Sequence, residues 1–221
     1  MTWVKICGIT NPEDALAAVK AGADALGFVF YDKSPRKADP EITRQIVERL
    51  PARIEKVGVF VDSSPVQICD LVAKTKLTCV QLHGERAQHI WKDLRAREQL
   101  GASKFIPALP GDSFDGVLAS KLLPVDVFAV LLDSQRNGSA GGTGIPFDWQ
   151  AAQSAVQSIA RLVPTIVAGG LTPANVAQAI RILNPWGVDV ASGVEAHPGK
   201  KDLQKLRAFI SAVREADKEL Y

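Results

Sequence analysis

The chain has 221 residues, 47% of them hydrophobic and 23% charged, with a formal net charge of +2. This composition is ordinary for a globular protein. The net charge is too small to indicate a protein that binds the phosphates of a nucleic acid. From this small charge we expect no nucleic-acid partner. No apolar run approaches the roughly 20 residues of a membrane span, and the N-terminus lacks a basic-then-apolar pattern, so we expect no membrane partner and no secretion leader.

The three cysteines are an odd number without paired spacing: Cys7, Cys69 and Cys79. This usage favours a reducing, cytoplasmic location over a disulfide framework. The three histidines do not pair at the spacing of metal ligands, so we expect no metal site.

Strand and helix patterns alternate along the chain. The strand patterns cover 3–7, 25–30, 57–61, 78–82, 104–109, 127–132, 165–168 and 187–191. The helix patterns cover 12–22, 41–50, 65–75, 87–99, 114–122, 148–160, 173–183 and 202–219. The pattern therefore consists of eight strand–helix units of about 28 residues each (221 residues over eight units).

Strict alternation of this kind predicts an α/β protein with a parallel sheet and helical crossovers. Eight units favour the (β/α)8 TIM barrel, a closed parallel eight-stranded barrel with outer helices. A doubly wound open sheet is the alternative, but it usually has fewer strands and often a glycine fingerprint that Gly8 alone does not supply. No linker divides the chain, so we expect one domain over residues 1–221.

The first strand places two chemically distinct faces on the sheet. Successive side chains alternate, so Lys5 and Cys7 share one face and Val4 and Ile6 share the other, which we expect the helices to cover. A single cysteine is most often a small buried hydrophobe, and that interpretation of Cys7 stays open at this point.

In a barrel of this type the active site lies at the carboxyl ends of the strands. Polar residues also begin there for ordinary reasons, and Gln81 and His83 suit a packed core as well as a site. The candidates at the strand ends are Cys7, Arg36, Asp62, Gln81, His83, Asp133, Gly169, Gly170, Ser192 and Gly193.

Two glycine-containing loops indicate phosphate binding. They follow strands seven and eight, at 168–171 and 191–195, where barrels of this type often bind a phosphate group through backbone N–H groups. The alternative is that these glycines only form turns. The glycine-rich run 138–144 is not a nucleotide-binding loop, because no Lys-Ser/Thr follows its glycines, and we interpret it as a lid over the substrate.

The motifs together resemble those of the phosphoribosylanthranilate isomerases of tryptophan synthesis. They are Lys5-Ile-Cys-Gly-Ile-Thr10, Gly27-Phe-Val-Phe30, Ser34-Pro-Arg36, Val80-Gln-Leu-His-Gly84, Leu132-Asp-Ser134, Gly141-Gly-Thr-Gly144, Ala168-Gly-Gly-Leu171, Val190-Ala-Ser-Gly-Val-Glu195 and Pro198-Gly-Lys-Lys-Asp202. The resemblance covers the whole chain. One departure is Ala191, where many members carry a serine.

The resemblance implies an Amadori rearrangement of N-(5-phosphoribosyl)anthranilate, a phosphorylated aminosugar, to 1-(2-carboxyphenylamino)-1-deoxyribulose 5-phosphate, without a cofactor. It implies Asp133 as general acid, Cys7 as general base and Arg36 as the ligand of the anthranilate carboxylate. The residues that we assign to substrate binding are Arg36, Gln81, His83, Gly142, Gly169, Gly170, Asp189, Ser192 and Gly193.

This chemistry makes demands on the charges of the site. Strand eight neighbours strand one in a closed barrel, so we predict that Lys5 and Asp189 form an ion pair inside it, because an unpaired buried charge is costly. Cys7 needs a positive field to ionise, and Asp133 needs an apolar or anionic setting that raises its pKa.

Two other functions remain possible on the sequence. The related histidine-pathway isomerase runs the same rearrangement, but it carries an aspartate rather than a cysteine at the end of strand one. A catalytically silent barrel that binds a phosphorylated ligand is the second. We see no long exposed apolar pattern, so we expect a monomer.

Overall fold

A computed structural model of the chain describes residues 1–84, 86–96, 100, 103–111, 127–134 and 146–220. Eight parallel strands close into a barrel in chain order, which confirms the predicted fold class. The strands are β1 (Trp3–Cys7), β2 (Ala25–Phe30), β3 (Glu55–Val61), β4 (Cys79–His83), β5 (Lys104–Pro110), β6 (Val130–Asp133), β7 (Thr165–Val167) and β8 (Gly187–Val190).

The described ranges contain seven α-helices outside the barrel: α1 (Pro12–Ala21), α2 (Pro40–Val47), α3 (Pro65–Thr75), α4 (Ala87–Ala96), α5 (Trp149–Ala160), α6 (Val176–Leu183) and α7 (Leu203–Leu220). The predicted helix at 114–122 and the predicted lid at 138–144, including Gly142, lie outside the described residues. No helix in the described ranges is long and apolar enough to cross a membrane.

Two features after β8 were not predicted. Ser192–Val194 forms a 3-10 helix, and Glu195–His197 (β9) pairs with Lys200–Lys201 (β10) in an antiparallel hairpin before α7 begins. The hairpin turns at Gly199, whose φ of +83° lies in the left-handed region that glycine tolerates.

Helix α6 begins three residues later than the sequence pattern indicated, at Val176 rather than 173. The side chain of Asn175 accepts a hydrogen bond from the N–H of Thr172 at 2.7 Å and donates one to the carbonyl of Gly170 at 3.0 Å. Polar side chains of this type compete with helical hydrogen bonding, so the intervening residues form a turn that shapes the loop after β7.

The apolar residues form two separate cores. Val4 and Ile6 belong to the larger core between barrel and helices, whereas Cys7 belongs to a smaller core inside the barrel. As predicted, Val4 and Ile6 face the helices, and Cys7 faces the barrel interior. Strand β1 pairs with β8 so that Lys5 lies opposite Asp189, and this register places both side chains in the barrel interior.

Candidate active site

A cavity of about 510 Å³ opens at the carboxyl ends of the strands. Nine of the residues assigned to catalysis or substrate binding line it: Cys7, Arg36, Gln81, His83, Asp133, Gly169, Gly170, Asp189 and Ser192. Asp62, the remaining polar residue predicted at a strand end, also lines it. Gly193 is not among the lining residues, and Gly142 lies outside the described residues.

The predicted ion pair lies at the floor of the site. Nζ of Lys5, a fully buried side chain, lies 2.9 Å from Oδ2 of Asp189. Burial works against the charged form of Lys5, but the charge and hydrogen bond of Asp189 together with the neighbouring Cys7 raise its pKa above the ordinary value. The lysine therefore stays an ammonium group beneath the cavity.

The thiol of Cys7 is subject to opposing effects. Burial raises its pKa, the charge of Lys5 lowers it and the charge of Asp189 raises it again, so that the pKa stays above its ordinary value. In the unliganded protein Cys7 is thus a neutral thiol, with an ammonium group close enough to stabilise the thiolate.

Asp133 has the environment that a general acid needs. Its residue is 6% exposed, and burial, followed by the charge of Asp189, raises its pKa to about 6. The N–H of Ser134 and the charge of Lys5 oppose this shift but do not cancel it. The prediction that Asp133 needs an apolar or anionic setting agrees with these surroundings, in which Asp189 is the anion.

His83 and Gln81 face the cavity from β4 and contact each other, with their Nε2 atoms 2.7 Å apart. Burial, with a smaller contribution from the charge of Lys5, lowers the pKa of His83 to about 4, so the ring is neutral at pH 7. With the amide of Gln81 donating, the ring accepts at Nε2 and carries its proton at Nδ1. Both residues therefore lie in the wall of the cavity and not in a closed core.

The loops after β7 and β8 meet at one end of the cavity. Gly169 and Gly170 have φ values of +83° and +64°, and their N–H groups have no acceptor among the described residues. Gly193 packs directly against the carbonyl oxygen of Leu171, where a side chain would collide with backbone. Gly193 therefore sets the contact between the two loops, and a direct part for it in substrate binding stays a prediction.

Four buried polar atoms, three on cavity-lining residues and one on the neighbouring Ser134, have no hydrogen-bond partner among the described residues. They are Oε1 of Gln81, Nδ1 of His83, Oγ of Ser134 and Oδ1 of Asp189. Buried polar groups are normally paired, so a polar ligand that reaches these atoms would complete their hydrogen bonds. Within the same described part of the chain, no three histidine, cysteine or acidic side chains are grouped to hold a metal ion.

Arg36 reaches the cavity from the loop after β2 and is anchored by a residue that sequence reasoning did not assign to the site. Its Nε and Nη2 atoms donate to both carboxylate oxygens of Glu195 at 2.8–3.1 Å. Glu195 in turn accepts from Nζ of Lys201 at 3.0 Å. Glu195 and Lys201 occur in the sequence motifs that follow β8, but nothing in their spacing indicated that they would be buried.

Three comparisons place this geometry among known proteins. Residues 4–212 match the family model described as N-(5'phosphoribosyl)anthranilate (PRA) isomerase. N-(5'-phosphoribosyl)anthranilate isomerase from Trichlorobacter lovleyi is 42% identical over 216 residues, which cover 98% of this chain and all of that protein.

Solved structures of proteins from the same family have a similar fold. A phosphoribosyl anthranilate isomerase in complex with reduced 1-(o-carboxyphenylamino)-1-deoxyribulose 5-phosphate is 38% identical with a TM-score of 0.80, and the match covers 97% of this chain and 100% of that one. Monomers generated from the dimeric phosphoribosylanthranilate isomerase of Thermotoga maritima are 37% identical with a TM-score of 0.79 at the same coverage. The chain therefore belongs to the N-(5'-phosphoribosyl)anthranilate isomerase family.

Proposed function

We propose that this chain catalyses the isomerisation of N-(5'-phosphoribosyl)anthranilate in tryptophan biosynthesis, with Asp133 as general acid and Cys7 as general base. One observation carries the assignment of roles. A buried carboxyl group whose pKa is raised to about 6 and a thiol beside an ammonium group line one cavity of about 510 Å³. A carboxyl group held neutral can donate a proton, and a thiol near Lys5 can accept one.

The reaction takes one proton from Asp133 and delivers another to Cys7, and exchange of protons with solvent restores both groups before the next turnover. Asp133 protonates the furanose ring oxygen, the bond from this oxygen to C1′ breaks, and the substrate nitrogen forms a protonated Schiff base. Cys7, as thiolate, then removes the C2′ proton, and the electron pair moves to give a neutral enolamine. Transfer of the hydroxyl proton to C1′ converts the enolamine to the ketone product.

The other wall groups orient the sugar. The unpaired atoms of His83, Gln81 and Asp189 supply one donor and further hydrogen-bonding positions for its hydroxyl groups. Gly169, Gly170 and Ser192 line the end of the cavity that we assign to the phosphate, which their backbone N–H groups would bind, and Arg36, which also lines the cavity, takes the carboxylate of the aromatic ring. The substrate nitrogen itself stabilises the enolamine, so the proposed steps use no cofactor.

Substrate fluorescence tests the assignment. The emission of the anthranilate substrate should decay with wild-type enzyme, and Cys7→Ser and Asp133→Asn should each slow the decay by roughly 10²- to 10⁴-fold. A silent phosphate-binding barrel would give no decay with any variant. Turnover of the histidine-pathway carboxamide substrate instead would assign the chain to that isomerase.

Three further properties belong to the same proposal. We propose a single domain over residues 1–221. The last helix, α7, packs against the first, α1, which supports this proposal. A single cooperative unfolding transition would test it. A cytoplasmic location would keep the Cys7 thiol reduced. We retain the prediction of a monomer, which light scattering would test, although one structural neighbour is described as dimeric.

A further inference from the structure

We propose that Glu195 and Lys201 are positioning residues that orient the guanidinium group of Arg36 and leave its site with one net positive charge for the substrate carboxylate. The proposal rests on the function proposed above and extends it beyond the residues that line the cavity. The three side chains come from separate segments: Arg36 from the loop after β2, Glu195 from β9 and Lys201 from β10. They form one continuous network in which Glu195 and Lys201 are buried and Arg36 is partly exposed to the cavity.

The side chain of Arg36 is held along its length. Its aliphatic part crosses Gly8, where a Cβ atom would lie 2.7 Å from Cδ of the arginine, and Gly8 has a φ of +77°. Its Nε and Nη2 atoms are occupied by Glu195. Because a guanidinium group has five donors in a rigid plane, this grip leaves Nη1 and the outer hydrogen of Nη2 for a second carboxylate.

Lys201 makes the network a cation. Its fully buried Nζ donates to Oε1 of Glu195 at 3.0 Å and to the backbone carbonyls of Cys7 at 2.6 Å and Ala191 at 3.2 Å. Burial lowers the pKa of Lys201 below its ordinary value, and the charge and hydrogen bond of Glu195 oppose this shift. The three acceptors match the three hydrogens of an ammonium group, so the network is built for the charged form. Burial opposes ionisation of Glu195, but the hydrogen bond of Arg36 and the charge of Lys201 keep its pKa below the ordinary value.

The charges of the three groups then sum to +1. Without Lys201, the Arg36–Glu195 pair would be neutral and would have little Coulombic attraction for an anion. With Lys201, the network can compensate one further negative charge, which is the charge of one carboxylate. The contact with the Cys7 carbonyl also fixes this network relative to the strand that carries the proposed base.

A purely structural role is the competing explanation, since the same residues fasten the β9–β10 hairpin to the barrel. The hairpin has other attachments: the hydroxyl of Thr10 donates to the carbonyl of Gly199 at 2.6 Å, and Asp14 accepts from the N–H of Lys201 at 2.8 Å. The two roles differ in one measurable respect. A structural role affects every ligand of the cavity, whereas positioning of Arg36 affects ligands that carry the aromatic carboxylate.

The experiment measures the affinity of two ligands by titration calorimetry. One is reduced 1-(o-carboxyphenylamino)-1-deoxyribulose 5-phosphate, and the other is the same compound without the ring carboxylate. The proteins are the wild type, Glu195→Gln, Lys201→Met and Arg36→Met. Glu219→Gln is the matched control, because Glu219 also pairs with an arginine, Arg181, but on the exposed surface.

Lys201→Met removes the net positive charge, whereas Glu195→Gln keeps the network positive and removes the carboxylate that orients Arg36, so a loss in the second variant reports positioning alone. We expect each to weaken binding of the carboxylated ligand on the order of tenfold to a hundredfold, as misplacement of a clamping group does, and to leave the carboxyl-free ligand within about threefold. In steady-state assays the KM for substrate should rise more than kcat falls. The control should change neither affinity. Thermal unfolding checks that each variant is folded, and if Lys201→Met is not, Glu195→Gln decides.

Equal losses for the two ligands, or no loss for the carboxylated one, would overturn the proposal. If Arg36→Met discriminates between the ligands and Glu195→Gln does not, the positioning role fails while the proposed function stands. If the wild type binds neither ligand, or does not distinguish them, the assignment of Arg36 to the carboxylate fails as well.

Discussion

Lys5 and Asp189 meet at 2.9 Å in the barrel interior, and their charges act with opposite sign on both groups to which we assign proton transfer. Lys5 favours the ionised form of Cys7 and of Asp133, whereas Asp189 favours the neutral form of each. The ion pair therefore also shifts the pKa values of Cys7 and Asp133. The proton donor benefits from the anion and the proton acceptor benefits from the cation.

The ion pair should show strong energetic coupling. Lys5→Met leaves Asp189 buried without a partner, and breaking a buried pair typically costs about 3–5 kcal/mol in the free energy of unfolding. The double variant Lys5→Met/Asp189→Asn should lose clearly less than the sum of the two single variants. Urea unfolding of the four proteins measures this, with the exposed pair Arg181–Glu219 as a control in which no coupling is expected. Additive losses at the buried pair would contradict the prediction.

Asp133→Asn should stabilise the unliganded protein while removing activity. The folded pKa of Asp133 is about 6, above the unfolded value near 3.9, so the folded protein binds more protons between these values and its stability falls as pH rises from about 4 to 6. The asparagine variant lacks this loss. Its advantage should grow through that window and level off above pH 6 at up to about 3 kcal/mol, which is the shift of about two pKa units converted at 1.36 kcal/mol per unit. Urea midpoints at pH 4, 5, 6 and 8 test this, and a constant difference would refute it.

The pH dependence of kcat/KM should be that of a reverse-protonated pair. The active form has Asp133 protonated and Cys7 ionised, although the pKa of the carboxyl group is about 6 and that of the thiol lies above its ordinary value near 9. Only a small fraction of the free enzyme is then in this form. Below pH 6 the thiolate fraction rises tenfold per unit, and above it the loss of the Asp133 proton offsets that gain, so kcat/KM rises to about pH 6 and then stays level.

Asp189→Asn provides a check on this assignment. Removing the anion lowers the pKa of Asp133, so the acid limb of the profile should move below pH 6. An acid limb that stays in place would show that another group controls it.

Gly193→Ala should weaken phosphate binding. Its new methyl group would collide with the carbonyl oxygen of Leu171 and lie 3.1 Å from Cα of Thr172, and because both are backbone atoms the two loops must separate. We expect a stability loss of roughly 1–3 kcal/mol together with a higher inhibition constant for inorganic phosphate. Gly22→Ala is the control: Gly22 has a φ of +107° at the end of α1 and does not line the cavity, so it should lose stability without changing phosphate inhibition. Unchanged phosphate inhibition in Gly193→Ala would contradict the prediction.

The sequence by itself determined the barrel and most of the residues at its carboxyl rim. The alternating strand and helix patterns suffice because each unit buries one face locally, and parallel strands bring all of their carboxyl ends to one side. Alternation along β1 also placed Lys5 and Cys7 on the inner face, and barrel closure then made Asp189 the neighbour of Lys5.

Apart from the Lys5–Asp189 pair, only the tertiary structure decided which charged residues of the site are buried and with which partners. Glu195 and Lys201 lie on a short hairpin whose sequence has no periodic pattern, and they become part of the site because the hairpin contacts Arg36 and the carbonyl of Cys7. The raised pKa of Asp133 depends in the same way on Asp189, which is 56 residues away in the chain (189 minus 133) and close in space. Burial and electrostatic interactions depend on distances between atoms, and a linear pattern contains those distances only within one helix or strand.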